Sequence, residues 1–261
     1  MSLGVYLHIP FCRQKCDYCG FYSIPVGRLD QSERAALLDR YADRLVGEIV
    51  QRVDDFRDCA VDTVYFGGGT PSLLAPETVA RVMEALSRSM GFAGGPVEVT
   101  LECNPEDFSP GRIRQYGDAG INRVVLGLQT LERENREFIG RSSSVISRGL
   151  AEEFMAVEGI GHCLDLIIGI PSKKRYLPDE IGMIAALGAD HISAYLLSVE
   201  EHTPLAGRFV EPEEFQELQR EAFMATRAAL MARGYHHYEV SNYCLPGKES
   251  RHNMKYWKFM P

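Results

Sequence analysis

Three cysteines follow directly on an apolar run in the stretch Val5-Tyr6-Leu7-His8-Ile9-Pro10-Phe11-Cys12-Arg13-Gln14-Lys15-Cys16-Asp17-Tyr18-Cys19. The run predicts a short buried strand that Pro10 ends. The cysteines have the spacing C-x3-C-x2-C on the loop that follows, so their thiols can converge on one small object. Thiolate is a soft ligand that selects zinc, copper(I) or an iron–sulfur cluster.

The number of ligands separates these possibilities. A structural zinc site takes four protein ligands, usually from two separated pairs, and no fourth Cys or His follows shortly after Cys19. Three thiolates on a cluster of four irons leave one iron open to a substrate or cofactor. The pattern therefore favours a reactive iron–sulfur site, with a zinc-stabilised binding module as the alternative.

Apolar runs and helical stretches alternate along the rest of the chain, which is typical of parallel strands joined by crossover helices. The predicted later strands are Val64–Phe66, Val97–Leu101, Val124–Leu128, Leu164–Ile168 and His191–Leu197. The predicted helices are Ser32–Phe56, one from Pro76, one from Ser109 to Gly120, and Pro212–Arg233 before Gly234. Six units are too few for a closed eight-stranded barrel, so we predict an α/β fold, a partial (β/α)6 barrel of parallel strands with outer helices.

Composition limits the classes of function. The 261 residues contain no apolar run long enough to span a membrane, and no charged-then-apolar leader is present. Seven cysteines, with three clustered, indicate reduced thiols rather than a disulfide framework. We therefore expect a cytoplasmic protein. The net charge of −8 disfavours nucleic acid as a partner.

The cysteine spacing, together with the preceding His8-Ile9-Pro10-Phe11, resembles the signature of radical S-adenosylmethionine (SAM) enzymes. The resemblance implies that Cys12, Cys16 and Cys19 hold a [4Fe–4S] cluster whose open iron binds SAM. In that family, one electron then splits SAM to give a 5′-deoxyadenosyl radical.

Further motifs follow the predicted strands, where chemistry gathers in parallel α/β folds. The resemblance implies that the SAM-binding residues are Tyr6, Tyr18, Gly68, Gly69, Thr70, Glu102, Gln129, Arg141 and Asp165. Read without the resemblance, the glycines are a tight turn and Glu102 is an exposed acid at a strand end. Arg141 and Asp165 could equally form a structural ion pair. Cys103 is expected to be a buried, inert thiol.

The combined motifs resemble the oxygen-independent coproporphyrinogen III oxidase family over essentially the whole chain. That family contains oxidases, which decarboxylate coproporphyrinogen III, and oxidase-like heme chaperones. The oxidases carry a further cysteine two positions after the third, where this chain has Phe21. Phe21 and the H-N-x-x-Y-W motif at His252 favour a chaperone that binds heme and passes it to an acceptor protein. Decarboxylation of the porphyrinogen is the alternative, and His252 is a possible heme ligand.

The predicted domains are a radical SAM partial barrel over residues 1–234 and the start of a C-terminal region over 235–261. The last residues, Tyr256–Pro261, form an aromatic, apolar run without a polar tail. Members of the resembling family continue with another domain, and we expect the remainder of that domain to be absent from this chain.

Overall fold

The computed structural model describes residues 2–141, 143–171 and 177–261. Its strands are β1 (Ser2–Ile9), β2 (Phe11–Cys12), β3 (Ile24–Pro25), β4 (Ala60–Gly68), β5 (Glu98–Cys103), β6 (Arg123–Gln129), β7 (Gly161–Ile168), β8 (His191–Leu196), β9 (His236–His237) and β10 (Asn242–Cys244). Its α-helices are α1 (Gln31–Arg52), α2 (Pro76–Met90), α3 (Pro110–Asp118), α4 (Arg133–Phe138), α5 (Arg148–Met155), α6 (Leu177–Ala185), α7 (Phe215–Met231) and α8 (Arg251–Trp257).

One large sheet carries the fold. Its strand order is β1-β4-β5-β6-β7-β8-β10-β9, and the first six strands pair in parallel. The main apolar core joins these strands to the surrounding helices. The predicted α/β fold with six parallel strands is confirmed. The sheet also has two short antiparallel strands at one edge, which the sequence analysis did not predict.

The first strand ends before Pro10 as predicted, whereas the second predicted strand, β4, differs from the prediction at both ends. The glycines were expected to end the second predicted strand, but Gly67 and Gly68 pair in register with His8 and Ile9 and are the last residues of β4. β4 also begins earlier than expected, at Ala60, because the polar pair Asp62-Thr63 interrupts its apolar pattern.

Helix boundaries follow local capping rather than the length of an apolar stripe. α1 begins at Gln31 because the Asp30 carboxylate accepts hydrogen bonds from the backbone N–H groups of Ser32 and Glu33. It ends at Arg52, and the predicted last turn, Val53–Phe56, is a 3₁₀ helix. α7 is likewise shorter than predicted at both ends. The helices α4 to α6 were not predicted, since six to nine residues are too few to show a helical period.

The residues after 234 pack on the barrel. β10 pairs with β8, and α8 attaches to β4 through a 2.9 Å hydrogen bond between Thr63 Oγ1 and His252 Nδ1. The Lys255 ammonium lies 2.9 Å from Asp62 Oδ1 and secures the same helix. The predicted division at residue 234 stays a prediction.

A helix needs about 20 mostly apolar residues to cross a lipid bilayer. In the parts of the chain that the structure describes, no helix is both long enough and apolar enough to cross a membrane.

Candidate functional site

Most of the predicted site residues line one cavity of about 140 Å³ beside the cysteine loop, at the carboxyl ends of the parallel strands. Among them are Cys12, Cys16, Tyr18, Cys19, Gly68, Gly69, Thr70, Glu102, Gln129, Arg141 and Asp165. Tyr6 and His252 line a neighbouring cavity of about 330 Å³, to which Glu102 and Asp165 also contribute. The fold therefore brings together residues up to 153 positions apart, from Cys12 to Asp165.

The cysteine loop is closed at its base by the β2–β3 pair. The backbone N–H of Val26 donates to the carbonyl of Cys12 (2.8 Å), and that of Ile24 donates to Pro10 (2.6 Å). Next to Cys12, the Arg13 guanidinium donates to the carboxylate of Asp107, whose side chain is almost fully buried. Cys12 consequently sits on a fixed backbone, whereas Cys16 and Cys19 lie on the loop beyond it.

Two polar side chains reach the thiols. Thr70 Oγ1 donates to Cys12 Sγ (3.4 Å), and the Arg141 guanidinium lies 3.9 Å from Cys16 Sγ. Burial raises the pKa of the Cys16 thiol, and the Arg141 charge acts against that rise. Burial also raises the pKa of Cys19. A bound metal centre would replace the thiol protons, since thiolate is the form that ligates.

The spacing of these thiols tests the fit of the possible metal groups. No three His, Cys, Asp or Glu side chains within the described ranges come close enough to hold a single metal ion. A mononuclear zinc site needs its ligands gathered around one ion. A [4Fe–4S] cluster takes each thiolate on a different iron, so its cysteines need not meet around one ion. The donor set is soft and contains only thiols, which fits an iron–sulfur cluster.

Arg141 is held within the site by hydrogen bonds from one side of its guanidinium. Its guanidinium donates to Asn104 Oδ1 (2.9 Å) and to the carbonyl of Gly127 (3.0 Å). Its Nε is buried without a hydrogen-bond partner among the described residues. A buried donor without an acceptor is costly, and Arg141 also lines the cysteine-loop cavity, so its guanidinium suits an anionic ligand group. Arg141 is therefore held by Asn104 and Gly127, and not by the structural ion pair with Asp165 that the sequence left open.

Neither the glycine that ends β4 nor the glycine that follows it has room for a side chain. Gly68 has φ +113°, and a Cβ there would lie 2.5 Å from the His8 ring. Its N–H donates to Glu102 Oε2 (3.2 Å). A Cβ on Gly69 would lie 2.6 Å from the carbonyl oxygen of Phe11. The backbone of β4 can therefore approach both the cysteine loop and the cavity.

Two carboxylates face the cavity. Burial, followed by the Asp165 charge, raises the pKa of Glu102 to about 7, even though Tyr65 OH donates to Glu102 Oε1 (2.9 Å). Burial raises the pKa of Asp165 to about 6, and a hydrogen bond with Ser193 acts against it. Each of these two carboxyl groups therefore gains or loses its proton near neutral pH.

Replacing Glu102 by glutamine is expected to change how stability depends on pH. An unfolded chain releases this proton near pH 4.5, whereas the folded chain keeps it to about pH 7. The folded state thus binds the extra proton in this window, so raising the pH lowers the stability of the wild type. The free energy of unfolding of Glu102→Gln relative to wild type should rise from pH 4.5 to 7 and then level off.

Urea unfolding of the metal-free chain at several pH values measures this difference. Burial also raises the pKa of Asp165, so this residue likewise lowers the stability as the pH rises. Burial lowers the pKa of His252 to about 4, so His252 has the opposite effect on the stability. Both residues are present in both proteins, so their contributions largely cancel. The exposed Glu106→Gln variant is the matched control for loss of a carboxylate. A difference between Glu102→Gln and wild type that is flat with pH would contradict the expectation.

Gln129 has a backbone conformation that the sequence analysis could not anticipate. It ends β6 with φ +64°, which places a non-glycine residue in the left-handed region. Such a conformation persists only where the surroundings enforce it, and it often occurs at binding sites. Gln129 lines both the cysteine-loop cavity and a third cavity of about 600 Å³.

Asn104 was overlooked as a site residue. Its amide donates to Thr70 Oγ1 (3.0 Å), while its oxygen accepts from Arg141. It thereby connects the groups that contact Cys12 and Cys16. Its place in the E-x-N-P motif, two residues after Glu102, was the available signal. Cys103, between them, is buried with a pKa raised to about 12, as expected for an inert thiol.

His252 is located away from the thiols. The residue is 4% exposed, with Nδ1 bonded to Thr63 and Nε2 lying 3.4 Å from the hydroxyl of Tyr256. The rings of Tyr65 and Tyr6 stack beside it. The structure gives His252 a role in attaching α8 to β4, and its role as a heme ligand stays a prediction.

Comparison with known proteins agrees with this geometry. The family model of the radical SAM superfamily matches residues 6–175, and the chain belongs to this superfamily. Its cofactors are a [4Fe–4S] cluster and SAM.

Particular relatives match almost the whole chain. It is 35% identical over 263 residues to the bovine (Bos taurus) "Radical S-adenosyl methionine domain-containing protein 1, mitochondrial", covering 98% of this chain and 57% of the relative. It is 32% identical over 263 residues to the heme chaperone HemW of Bacillus subtilis (strain 168), covering 97% of this chain and 66% of the relative. The chain thus spans between about half and two thirds of the length of the curated relatives it matches.

A solved structure shows the same fold. Coproporphyrinogen III oxidase (HemN) from Escherichia coli superimposes with a TM-score of 0.75 at 24% identity. The match covers 94% of this chain and 56% of that protein.

Proposed function

We propose that this chain belongs to a protein that binds heme and transfers it to an acceptor protein, with a [4Fe–4S] cluster on its cysteine loop. The observation that carries the proposal is its similarity, over nearly its full length, to relatives named heme chaperones. The chain covers only part of those relatives, so the proposal concerns the protein to which this barrel belongs.

The cavity beside Cys19 supports the proposal. It has a volume of about 600 Å³, and its apolar wall is formed by Phe21, Ile167, Tyr195, Leu196 and Leu197. Phe21 is 72% exposed at the mouth and lines all three cavities around the site. Apolar side chains that remain exposed beside a cavity suit a flat apolar ligand such as a porphyrin ring.

The position of Phe21 also bears on the choice between the two branches. By the resemblance, the oxidases carry a cysteine here, whereas this chain places an aromatic ring beside Cys19. The ring adds apolar contact area and supplies no thiol. This substitution supports heme binding over decarboxylation.

The residues around the cysteine loop have distinct roles in this proposal. Cys12, Cys16 and Cys19 hold the cluster, which with SAM supplies one-electron chemistry when bound. The Arg141 guanidinium binds the SAM carboxylate, and Glu102 accepts hydrogen bonds from ribose hydroxyls. Contacts with SAM are also proposed for Tyr6, Tyr18, Gly68, Gly69, Thr70, Gln129 and Asp165.

The compartment and the partner are proposed on chemical grounds. Clustered thiols stay reduced in the cytoplasm, which is where we propose that the protein acts. Its partners there are SAM, heme and the protein that accepts heme.

A heme titration of the full-length protein that contains this chain, reconstituted anaerobically with iron and sulfide, tests the proposal. Absorbance should show saturable binding, and adding an apo-globin should then remove the heme. Phe21→Asp should weaken binding about tenfold, because it places a charge on the apolar wall. Tyr22→Asp is the matched control, since Tyr22 is 69% exposed but is outside the lining of the 600 Å³ cavity.

Parallel incubation with coproporphyrinogen III, SAM and a reductant tests the alternative. Stepwise loss of carboxyl groups, read from the porphyrin masses, would replace the chaperone proposal by the oxidase. His252→Ala tests the heme-ligand prediction against His202→Ala, which changes an exposed histidine. An unchanged heme spectrum in His252→Ala would reject that ligand. Absence of heme binding by the full-length protein with its cluster in place would overturn the proposal.

A further inference from the structure

The cysteine loop is covered by the segment that follows β8, residues 197–209, here called the β8 loop. The backbone N–H of Leu205 donates to the carbonyl of Asp17 (2.9 Å). Further along the cysteine loop, a Cβ on Gly20 would lie 2.8 Å from the Glu200 side chain. The two loops therefore touch on both sides of Cys19, and Asp17 directly follows Cys16.

Arg208 joins three segments at this contact. Its guanidinium donates to the carboxylate of Asp17 (2.9 Å) and to the carbonyl of Phe138 at the end of α4. It also lies over the Phe138 ring, 5.7 Å from its centre. One side chain thus connects the cysteine loop, α4 and the β8 loop.

The position of the Asp17 side chain depends on Gly140, which lies beside it in the folded chain. Gly140 has φ +67°, and a Cβ there would lie 2.3 Å from Asp17 Cγ. The Asp17 side chain thus occupies the space that any other residue at 140 would fill. The fit limits the positions that Asp17 can take.

The β8 loop is itself firmly attached. Leu205 is fully buried in an apolar cluster with Ile139, Ile167, Ile170 and Leu197. Gln219 of α7 donates to the Leu197 carbonyl (2.6 Å). An exposed ion pair by itself adds little, but Arg208 makes several contacts from an anchored loop, so it can restrain the cysteine loop.

We propose that Arg208 is a positioning residue, which holds the cysteine loop through Asp17 so that Cys16 and Cys19 are placed for cluster binding. Cys12 is positioned separately, by the β2–β3 pair and Arg13. The inference rests on the proposed assignment of the cluster to these cysteines. It predicts that loss of Arg208 loosens the part of the loop that carries Cys16 and Cys19 and leaves Cys12 in place.

Alkylation of the full chain before reconstitution tests this directly. Wild type and Arg208→Ala are treated with iodoacetamide, and each cysteine is followed by peptide mass spectrometry. The rates at Cys16 and Cys19 should rise about fivefold, because a loosened loop exposes its thiols more often. The rate at Cys12 should stay the same.

The remaining cysteines and matched variants provide the controls. Cys59 is half-exposed outside the site and reports reagent activity, whereas the buried Cys103 and Cys163 report global unfolding. Arg148→Ala removes a more exposed arginine, which is paired with Glu152 away from the cysteine loop, and its rates should match wild type. Arg208→Lys keeps the charge without the planar fork and should give intermediate rates.

Iron release from the reconstituted chain gives a second measurement. A chelator should remove iron about fivefold faster from Arg208→Ala than from wild type, in line with the loosened loop. Equal alkylation of Cys16 and Cys19 in wild type and Arg208→Ala would overturn the inference. Reaction of Cys103 and Cys163 in Arg208→Ala would mean that this variant unfolds. Asp17→Asn then takes its place, and equal alkylation of Cys16 and Cys19 in Asp17→Asn and wild type would overturn the inference. The alkylation result does not depend on heme, so it remains interpretable if the proposed function fails.

Discussion

Replacing Cys12 by serine is expected to abolish iron and sulfide binding by the reconstituted chain. Serine is nearly isosteric, but its hydroxyl is a hard, weakly acidic ligand that does not replace a thiolate on iron. Loss of supporting contacts around a metal site costs about 10–100-fold in affinity, so loss of a ligand should cost at least about 100-fold. Iron and sulfide analysis and the visible absorption of the cluster measure the effect.

The fold should survive this change, which makes the outcome specific. Cys12 lies on β2, whose backbone bonds to β3 and Val26 remain. Cys59→Ser is the control, since it removes a half-exposed thiol outside the site, and it should keep full iron and sulfide. Full cluster content in Cys12→Ser would reject the ligand assignment. Stoichiometric zinc in the wild type, with no iron bound, would instead support the zinc-stabilised module.

Replacing Gly69 by alanine is expected to destabilise the whole fold. The added Cβ would lie 2.6 Å from the Phe11 carbonyl oxygen and 2.9 Å from both the Ile9 oxygen and the Phe11 nitrogen. All three are backbone atoms, which cannot rotate away as a side chain could. Overpacking costs about 1–3 kcal/mol, and a rigid backbone neighbour places this site near the upper end. The free energy of unfolding in guanidinium chloride measures the loss.

The same clash should also disturb cluster binding. Gly69 N–H donates to the Ile9 carbonyl (2.8 Å), so this contact connects β4 to the start of the cysteine loop. Pushing the two apart moves Cys12 relative to Thr70. Gly94→Ala is the control, because an added Cβ there meets no atom within 4 Å, and its stability should stay within about 0.5 kcal/mol. Equal unfolding midpoints for Gly69→Ala and Gly94→Ala would contradict the expectation.

Features that depend on neighbouring residues could be predicted from local patterns, whereas features that depend on distant contacts could not. The cysteine spacing and the parallel strands depend on local pattern, and the family and the six strands were predicted from them. The predicted start of β4 was wrong, because Asp62 and Thr63 interrupt the apolar pattern of this strand. Thr63 forms a hydrogen bond with His252. The two residues are 189 positions apart, so no local pattern records this contact.

Short elements were missed for a related reason. α4 and α6 contain too few turns for an apolar period to appear, and tertiary packing rather than propensity stabilises them. The antiparallel strand β10 is only three residues long and forms because β8 offers it an edge.

The sequence by itself determined the superfamily, the three cysteines and the strand ends around them, because each is encoded by residues within a few positions of one another. Only the tertiary structure decided how these residues are held. It placed Asn104 between Thr70 and Arg141, and it set Arg208 against Asp17, 191 positions away. It also forced Gln129 into the left-handed region. Such contacts depend on where distant segments meet in the folded barrel, and a linear pattern carries no signal for them.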